Sequence, residues 1–330
     1  MGAHAFPPMA LHDQAMRRGP RADEKAPLHG EVLTPEEERL LRGRPPTRAL
    51  RWCAESVGRG AAVLDVRPLA GGTSSAVHAV DLRDGRGVVR RLVLRRFVRA
   101  DWLAEEPDLA AQEAVALTIA QAVAVPTPVL VAHDPDGGRV GAPAILMTRL
   151  DGAVVWRPAD LEPFLRDLAA ILPAIHAAPL SAARPLRPYS PYGLRITGPP
   201  RWTARPAMWR QALAALRDPP PMRHRCFVHR DFHPGNVLWR DGAVTGLVDW
   251  ASASVGDPDA DVGHCRMNLA GVLGVEAADR FLALHRSVAG AGDYHPFWDI
   301  AAALGGFEDA DLDAWTPADE EFLARAVARL

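Results

Sequence analysis

The apolar pattern changes character partway along the chain. Val63–Leu69, Val77–Leu82 and Val88–Phe97 are strand-like, separated by turn-forming runs at Ala70–Ser75 and Asp84–Gly87. Helical spacing then takes over at Asp108–Val123, where Ala114, Leu117 and Ala120 or Gln121 repeat on one face until Pro126 and Pro128 stop it. Val129–Ala132 and Ala144–Arg149 predict another strand pair around the turn Asp134–Gly138. Ahead of all this, Thr34-Pro35-Glu36-Glu37 is a helix start: Thr as N-cap, Pro in the first turn, Glu37 closing a capping box. A second helix is expected over Pro46–Val57.

After Leu150-Asp151-Gly152 the pattern is mainly helical. Helices are predicted over Pro158–Ala177, Pro206–Arg217, Pro258–Ala270, Glu276–Val288 and Pro317–Leu330. One hairpin interrupts them. Asn236–Trp239 and Thr245–Val248 flank Arg240-Asp241-Gly242, and Asp-Gly between two apolar runs favours a tight turn. The chain is therefore expected to be α+β. Residues 1–30, without period, form a floppy extension; 31–150 make a strand-rich lobe with leading helices; 151–330 make a helical lobe holding the hairpin.

Composition narrows the class. The 330 residues are 48% hydrophobic and 24% charged, which fits a soluble globular chain of about two domains. A net charge of -2 makes neither nucleic acid nor an anionic membrane an expected partner. Lys25 is the only lysine, so lysine chemistry in the folded body is excluded. Cys53, Cys226 and Cys265 form no CxxC, which fits a reducing cytoplasm. No apolar run is long enough to span a bilayer, and the N-terminus lacks the order of a signal peptide.

The chemistry concentrates in Phe227–Trp250, FVHRDFHPGNVLWRDGAVTGLVDW. It holds a His-x-Asp, an Asn five residues after that Asp, and a second Asp at the end of the hairpin. Phosphoryl transfer uses such a set. One carboxylate orients a hydroxyl, and an amide oxygen and a second carboxylate hold Mg²⁺ on the phosphates. The hairpin turn would bring Asn236 and Asp249 to one end of the ribbon, with Asp231 just before it.

The strings HRDFHPGNVLW and GLVDW resemble the aminoglycoside phosphotransferase family, small-molecule kinases with a two-lobed, protein-kinase-like fold. The resemblance covers about residues 60–270. It implies Asp231 as catalytic aspartate, Asn236 and Asp249 as magnesium ligands, and His229 as a structural histidine of the loop. In Gly256–Gly263, GDPDADVG, it implies that Asp261 braces the loop. It further implies that Arg95 reaches the nucleotide phosphates and pairs with Glu113, though many relatives carry Lys at the position of Arg95. Gly71, Gly72, Thr73, Ser74 and Ser75 would form the nucleotide loop, and Met147 and Arg149 the adenine hinge. The cofactors implied are ATP, with GTP as alternative, and Mg²⁺; the partner is a small molecule bearing a hydroxyl, with antibiotics the first choice.

Blander readings stand beside these. His229, His233, His264 and Cys265 have spacings that a zinc site allows. Gly71–Ser75 also reads as a plain hairpin turn, Arg95 as a surface arginine, and His176 as a capping or core histidine. Glu308, Asp309, Asp311, Asp313, Asp319, Glu320 and Glu321 would hold a cationic acceptor or form a solvated segment. Trp298 and Trp315 would line an acceptor pocket or pack the lobe. The alternatives for the whole chain are a metabolic small-molecule kinase, for an amino alcohol or a sugar, and a non-catalytic nucleotide-binding pseudokinase.

Overall fold

A computed structural model describes residues 34–69, 75–180, 186–290, 292–309 and 317–330, the side chains of 307–309 excepted. Thr34 caps α1 (Pro35–Arg42). Its Oγ1 accepts from the Glu37 N–H (3.2 Å), and Glu37 Oε2 accepts from the Thr34 N–H (2.9 Å). Helix α2 (Thr47–Val57) follows.

Five strands form one antiparallel sheet. They are β1 (Ala62–Pro68), β2 (Ala76–Arg83), β3 (Val89–Arg96), β4 (Leu130–Asp134) and β5 (Ala144–Thr148), in the order β1-β2-β3-β5-β4. Strand alternation divides β3 and β5 between two apolar cores. Leu92, Leu94, Ala144 and Leu146 pack with Ala49, Trp52 and Cys53 of α2. Val93, Ile145 and Met147 belong to the second core, with α4 (Leu109–Ala120) and much of the C-terminal lobe. Arg95 thus shares the face of Val93, and Arg96 that of Leu94. This one-residue offset decides which arginine can meet the site.

Beyond β5 the chain crosses to a three-stranded sheet, β6-β8-β9, of β6 (Ala153–Val154), β8 (Val237–Arg240) and β9 (Ala243–Leu247). Asp151 binds Arg91 of β3 through two bonds of 2.8 and 2.9 Å, and Arg240 at 3.3 Å. One exposed carboxylate so ties the crossing to both sides. Gly152 is required here: its φ is 135°, and a Cβ would lie 2.3 Å from Thr245 Oγ1.

The C-terminal lobe is built from α5 (Leu161–His176), α6 (Pro206–Arg217), α7 (Asp259–Leu273), α8 (Val275–Ala289), α9 (Phe297–Asp309) and α10 (Pro317–Val327). Helix α3 (Ala100–Glu105) and α9 go beyond the sequence expectation. In α9, Gly305-Gly306 weigh against a helix, yet burial of Phe297, Ile300, Ala301 and Leu304 carries it. No helix among the described residues is long and apolar enough to cross a membrane.

Candidate active site

A two-stranded sheet places the central loop. β7 (Cys226–Val228) pairs antiparallel with β10 (Ser254–Gly256), and residues 229–236 leave β7 toward a single 3₁₀ turn at Pro234–Asn236. Asp241 (φ 51°) and Gly242 (φ 78°) both take positive φ in the β8–β9 turn, as an Asp-Gly hairpin requires. The ribbon then returns: Val237 pairs with Leu247, and the Val248 N–H donates to Asn236 O (2.9 Å). Asn236 and Asp249 therefore stand at the end of the hairpin away from its turn.

The loop is held from below by α7. Asp261, fully buried, accepts from the backbone N–H of His229 (3.0 Å) and of Arg230 (2.6 Å). Arg230 has φ 67°, a costly conformation for a side chain other than Gly, and these two bonds help hold it. His176 Nε2 lies 3.0 Å from the same Asp261 carboxylate, so the histidine ending α5 contacts the buried brace. Burial alone would raise the Asp261 pKa, but His176 and His229 lower it. His229 Nε2 meets Val248 O at 3.0 Å, and its ring centroid lies 4.5 Å from that of Trp250. Trp250 also stacks on Phe227 (5.3 Å, 5°), wedging the two loops together.

Asp231 rises from this base with its side chain 32% exposed. Asn236 Nδ2 donates to Asp231 O (2.8 Å) and Oδ2 (2.9 Å). His233 Nε2 lies 3.3 Å and His264 Nε2 3.0 Å from Asp231 Oδ1. Burial would raise the Asp231 pKa, but the two histidines outweigh it and hold the carboxyl well below its usual range. His233 is itself fixed. It accepts the Gly235 N–H at Nδ1 (3.0 Å) and stacks on Trp156 (5.4 Å, 20°). A Cβ on Gly235 would lie 2.5 Å from Trp156 and 2.6 Å from His233, so only Gly fits.

Across the cleft, Arg95 is 7% exposed. Its Nη1 lies 2.9 Å from Glu113 Oε1 and 2.8 Å from Asp249 Oδ1. Burial pulls the Arg95 pKa down, but Asp249 and Glu113 raise it further. Burial pushes the Glu113 carboxyl up to about 7 against the pull of Arg95. Arg96 lies on the opposite face, beside Cys53 and His78, where burial lowers its pKa.

The other expected residues are placed unevenly. Gly71, Gly72, Thr73 and Ser74 lie outside the described residues; Ser75 is buried just before β2. Met147 is buried in β5, and the Arg149 N–H donates to Arg91 O (3.0 Å) while its side chain meets Asp81 (3.1 Å). The zinc set does not assemble. Cys265 is fully buried among apolar residues and His229 is turned to Val248. Asp231, His233 and His264 do bring ligand atoms within 4.8 Å of one another. The Gly235 N–H occupies His233 Nδ1, while Asn236 Nδ2 (3.2 Å) and Asp231 Oδ1 (3.3 Å) both stand against Nε2, so both ring nitrogens are engaged within the loop.

Two acids of the acidic segment and one of the two tryptophans are accounted for by packing. Glu320 accepts from Trp209 Nε1 (3.0 Å) and from Thr203, and Glu321 pairs with Arg205 (3.0 Å) and Arg325 (3.4 Å). Trp298 is buried edge-on to Phe297 and Tyr189. Asp311, Asp313 and Trp315 lie outside the described residues, as do the side chains of Glu308 and Asp309. The sequence offered His264 only as a zinc ligand, and gave no sign of Trp156 or of the ionic contact of Arg95 with Asp249. For His264 a signal exists: it stands three residues after Asp261 in one helix, which puts both on one face.

Fold and family together define a kinase-type phosphotransferase. The chain belongs to the phosphotransferase enzyme family, whose profile matches residues 65–297, 233 of the 330. Hygromycin-B 4-O-kinase of Escherichia coli is 26% identical over 136 residues, 32% of this chain and 37% of that relative, so the match spans well under half of the relative's length. A thermostable variant of the aminoglycoside phosphotransferase APH(4)-Ia, in a ternary complex with ADP and hygromycin B, is similar in fold. Its TM-score is 0.56 at 19% identity, over 86% of this chain and 96% of that one. Macrolide 2'-phosphotransferase MphH from Brachybacterium faecium gives 0.53 at 20% identity, over 84% and 97%. At such identities the likeness to solved structures shows the fold.

Proposed function

We propose that this protein transfers the terminal phosphoryl group of ATP to a hydroxyl of a small molecule, with Mg²⁺. The observation that carries the reading is the meeting of Asp231 with Asn236, and of Asp249 with Arg95, close enough together for the charges of Asp231 and Arg95 to interact. Asp231 orients the acceptor hydroxyl and finally takes its proton. Its lowered pKa suits a group that must stay ionised until transfer is well advanced.

The residues present fit a magnesium ion. Asn236 commits Nδ2 to Asp231, which leaves Oδ1 for a cation, and Asp249 is a partly exposed carboxylate at the same hairpin end. Magnesium held by these oxygens would supply positive charge that offsets the charge developing on the phosphates. Arg95 supplies fixed positive charge beside them, and Glu113 orients it. His229 and Asp261 keep the loop backbone in place. Ser75 and the preceding glycine run are assigned to the nucleotide phosphates, and Met147 and Arg149 to the adenine hinge.

An antibiotic is the first choice of acceptor, because hygromycin B and macrolide kinases share the fold. The second is a metabolite such as an amino alcohol or a sugar. It is favoured by Glu320 and Glu321, two acids of that segment that already pair with Trp209 and Arg205. The test is incubation of purified protein with MgATP and a panel of antibiotics and metabolites, read by product mass. A gain of one phosphoryl group identifies the acceptor, and ATP binding with no transfer to any compound would turn the reading to a pseudokinase.

A further inference from the structure

Asp231 Oδ1 has two imidazole neighbours, and their surroundings differ. His233 belongs to the loop itself and is locked by the Gly235 N–H and the Trp156 ring. His264 comes from α7, with its side chain 24% exposed and Nε2 3.0 Å from the carboxylate oxygen. One turn earlier on that helix, Asp261 ties down the backbone of His229 and Arg230. One face of α7 thus fixes the loop twice, at its backbone through Asp261 and at its reacting side chain through His264.

The division of contacts on the carboxylate gives this a consequence. Among the described residues, Oδ1 meets both histidines, whereas Oδ2 meets the Asn236 amide alone. Each carboxylate oxygen accepts about two hydrogen bonds. With Oδ1 filled, Oδ2 keeps one place for an incoming hydroxyl. Without His264, Oδ1 keeps only the longer His233 contact, and the carboxylate is held less firmly against rotation.

We propose that His264 is a positioning residue of the transfer step, holding Asp231 so that Oδ2 faces the acceptor hydroxyl. The inference rests on the reading of Asp231 as the group that orients this hydroxyl. In this role His264 acts through Asp231.

The experiment compares wild type with His264→Ala, His264→Met, His264→Gln and Asp231→Asn. Three quantities are measured: magnesium-dependent ATP hydrolysis with water as acceptor, MgATP affinity by calorimetry, and melting temperature. Where the compound panel yields an acceptor, kcat and KM for it are measured too. His264→Ala and His264→Met should lower turnover about 10- to 100-fold, the scale of a misplaced reacting group. ATP affinity and melting temperature should stay at wild-type values. His264→Gln should recover most of the rate, because its terminal amide places an N–H near the position of imidazole Nε2. Methionine keeps the volume without a donor, so it serves where the alanine variant fails to fold.

The proposal is overturned if Ala and Met turn over within twofold of wild type, or if Gln recovers nothing. It is equally overturned if the loss appears only in ATP affinity or melting temperature. Asp231→Asn separates this from the underlying reading. If Asp231→Asn is inactive while the His264 variants are not, only the role of His264 falls. If Asp231→Asn keeps wild-type turnover, or if no protein of the series hydrolyses or transfers, both fall together.

Discussion

Arg95 and Asp249 are in direct ionic contact, with Nη1 2.8 Å from Oδ1, although they belong to different lobes. The same nitrogen lies 2.9 Å from Glu113, so one buried guanidinium bridges two carboxylates. Arg95→Ala should therefore do two things. It should raise the apparent KM for ATP, and it should destabilise the fold by about 3–5 kcal/mol, the scale of a broken buried pair. Arg95→Lys should restore most of the ATP use, since an ammonium also carries the charge. Arg96→Ala should leave KM for ATP unchanged, because Arg96 sits on the other sheet face beside Cys53. Steady-state kinetics on the three variants check this, and the reverse pattern would move the phosphate contact to Arg96.

Asp231→Asn should keep the fold and the affinity for MgATP while losing turnover. The amide fills the space of the carboxylate but cannot take the acceptor's proton. Loss of about two to four orders of magnitude is expected for a positioned base. Activity near wild type, measured with an acceptor from the compound panel, would remove Asp231 from the mechanism.

How much of this was legible in the sequence depends on where each signal lies. The β8–β9 hairpin was legible because Asp241-Gly242 demands two positive φ values, and that local chemistry places Asn236 and Asp249 together. Arg95 and Arg96 were separable because β3 alternates faces residue by residue. Helix α9 was not legible, because its Gly305-Gly306 oppose a helix and only tertiary burial forms it. The contact of Arg95 with Asp249 joins positions far apart in the chain, and no periodicity announces it. His176 is similar: it ends an apolar helix, and only the packing of α5 against α8 and β7 brings it to Asp261. His264 was half legible, since the helix period ties it to Asp261 but does not say that Asp231 lies within reach.

Asp249→Ala should remove the enhancement that magnesium gives to nucleotide binding. In the structure the carboxylate stands at the hairpin end with Asn236, whose Nδ2 is committed to Asp231. Calorimetric titration of ATP with and without Mg²⁺, in wild type and variant, reads the effect directly. A variant that keeps the full magnesium enhancement would place the metal on other residues.

Stability should fall on mild acidification because of His285. This residue of α8 is 4% exposed and stacks on Phe281 (6.4 Å, 17°). Burial lowers its pKa from 6.5 to about 4, helped by His176 and Arg223 and opposed by the Ala169 backbone and Asp261. The ring is then neutral in the fold, while the unfolded chain takes up a proton below pH 6.5. Between those values the unfolded state binds more protons, so stability rises with pH. The contribution is complete above pH 6.5 and is lost as pH falls toward about 4. A tenfold difference in proton affinity between folded and unfolded chain is worth about 1.4 kcal/mol, which sets a loss of roughly 2–3 kcal/mol at the acid end. His285→Gln keeps a polar side chain of similar reach but does not titrate. Denaturant unfolding at neutral pH and near pH 4.5 should show a smaller acid loss in the variant by about this amount. Equal losses in the two proteins would mean that another group drives the acid limb.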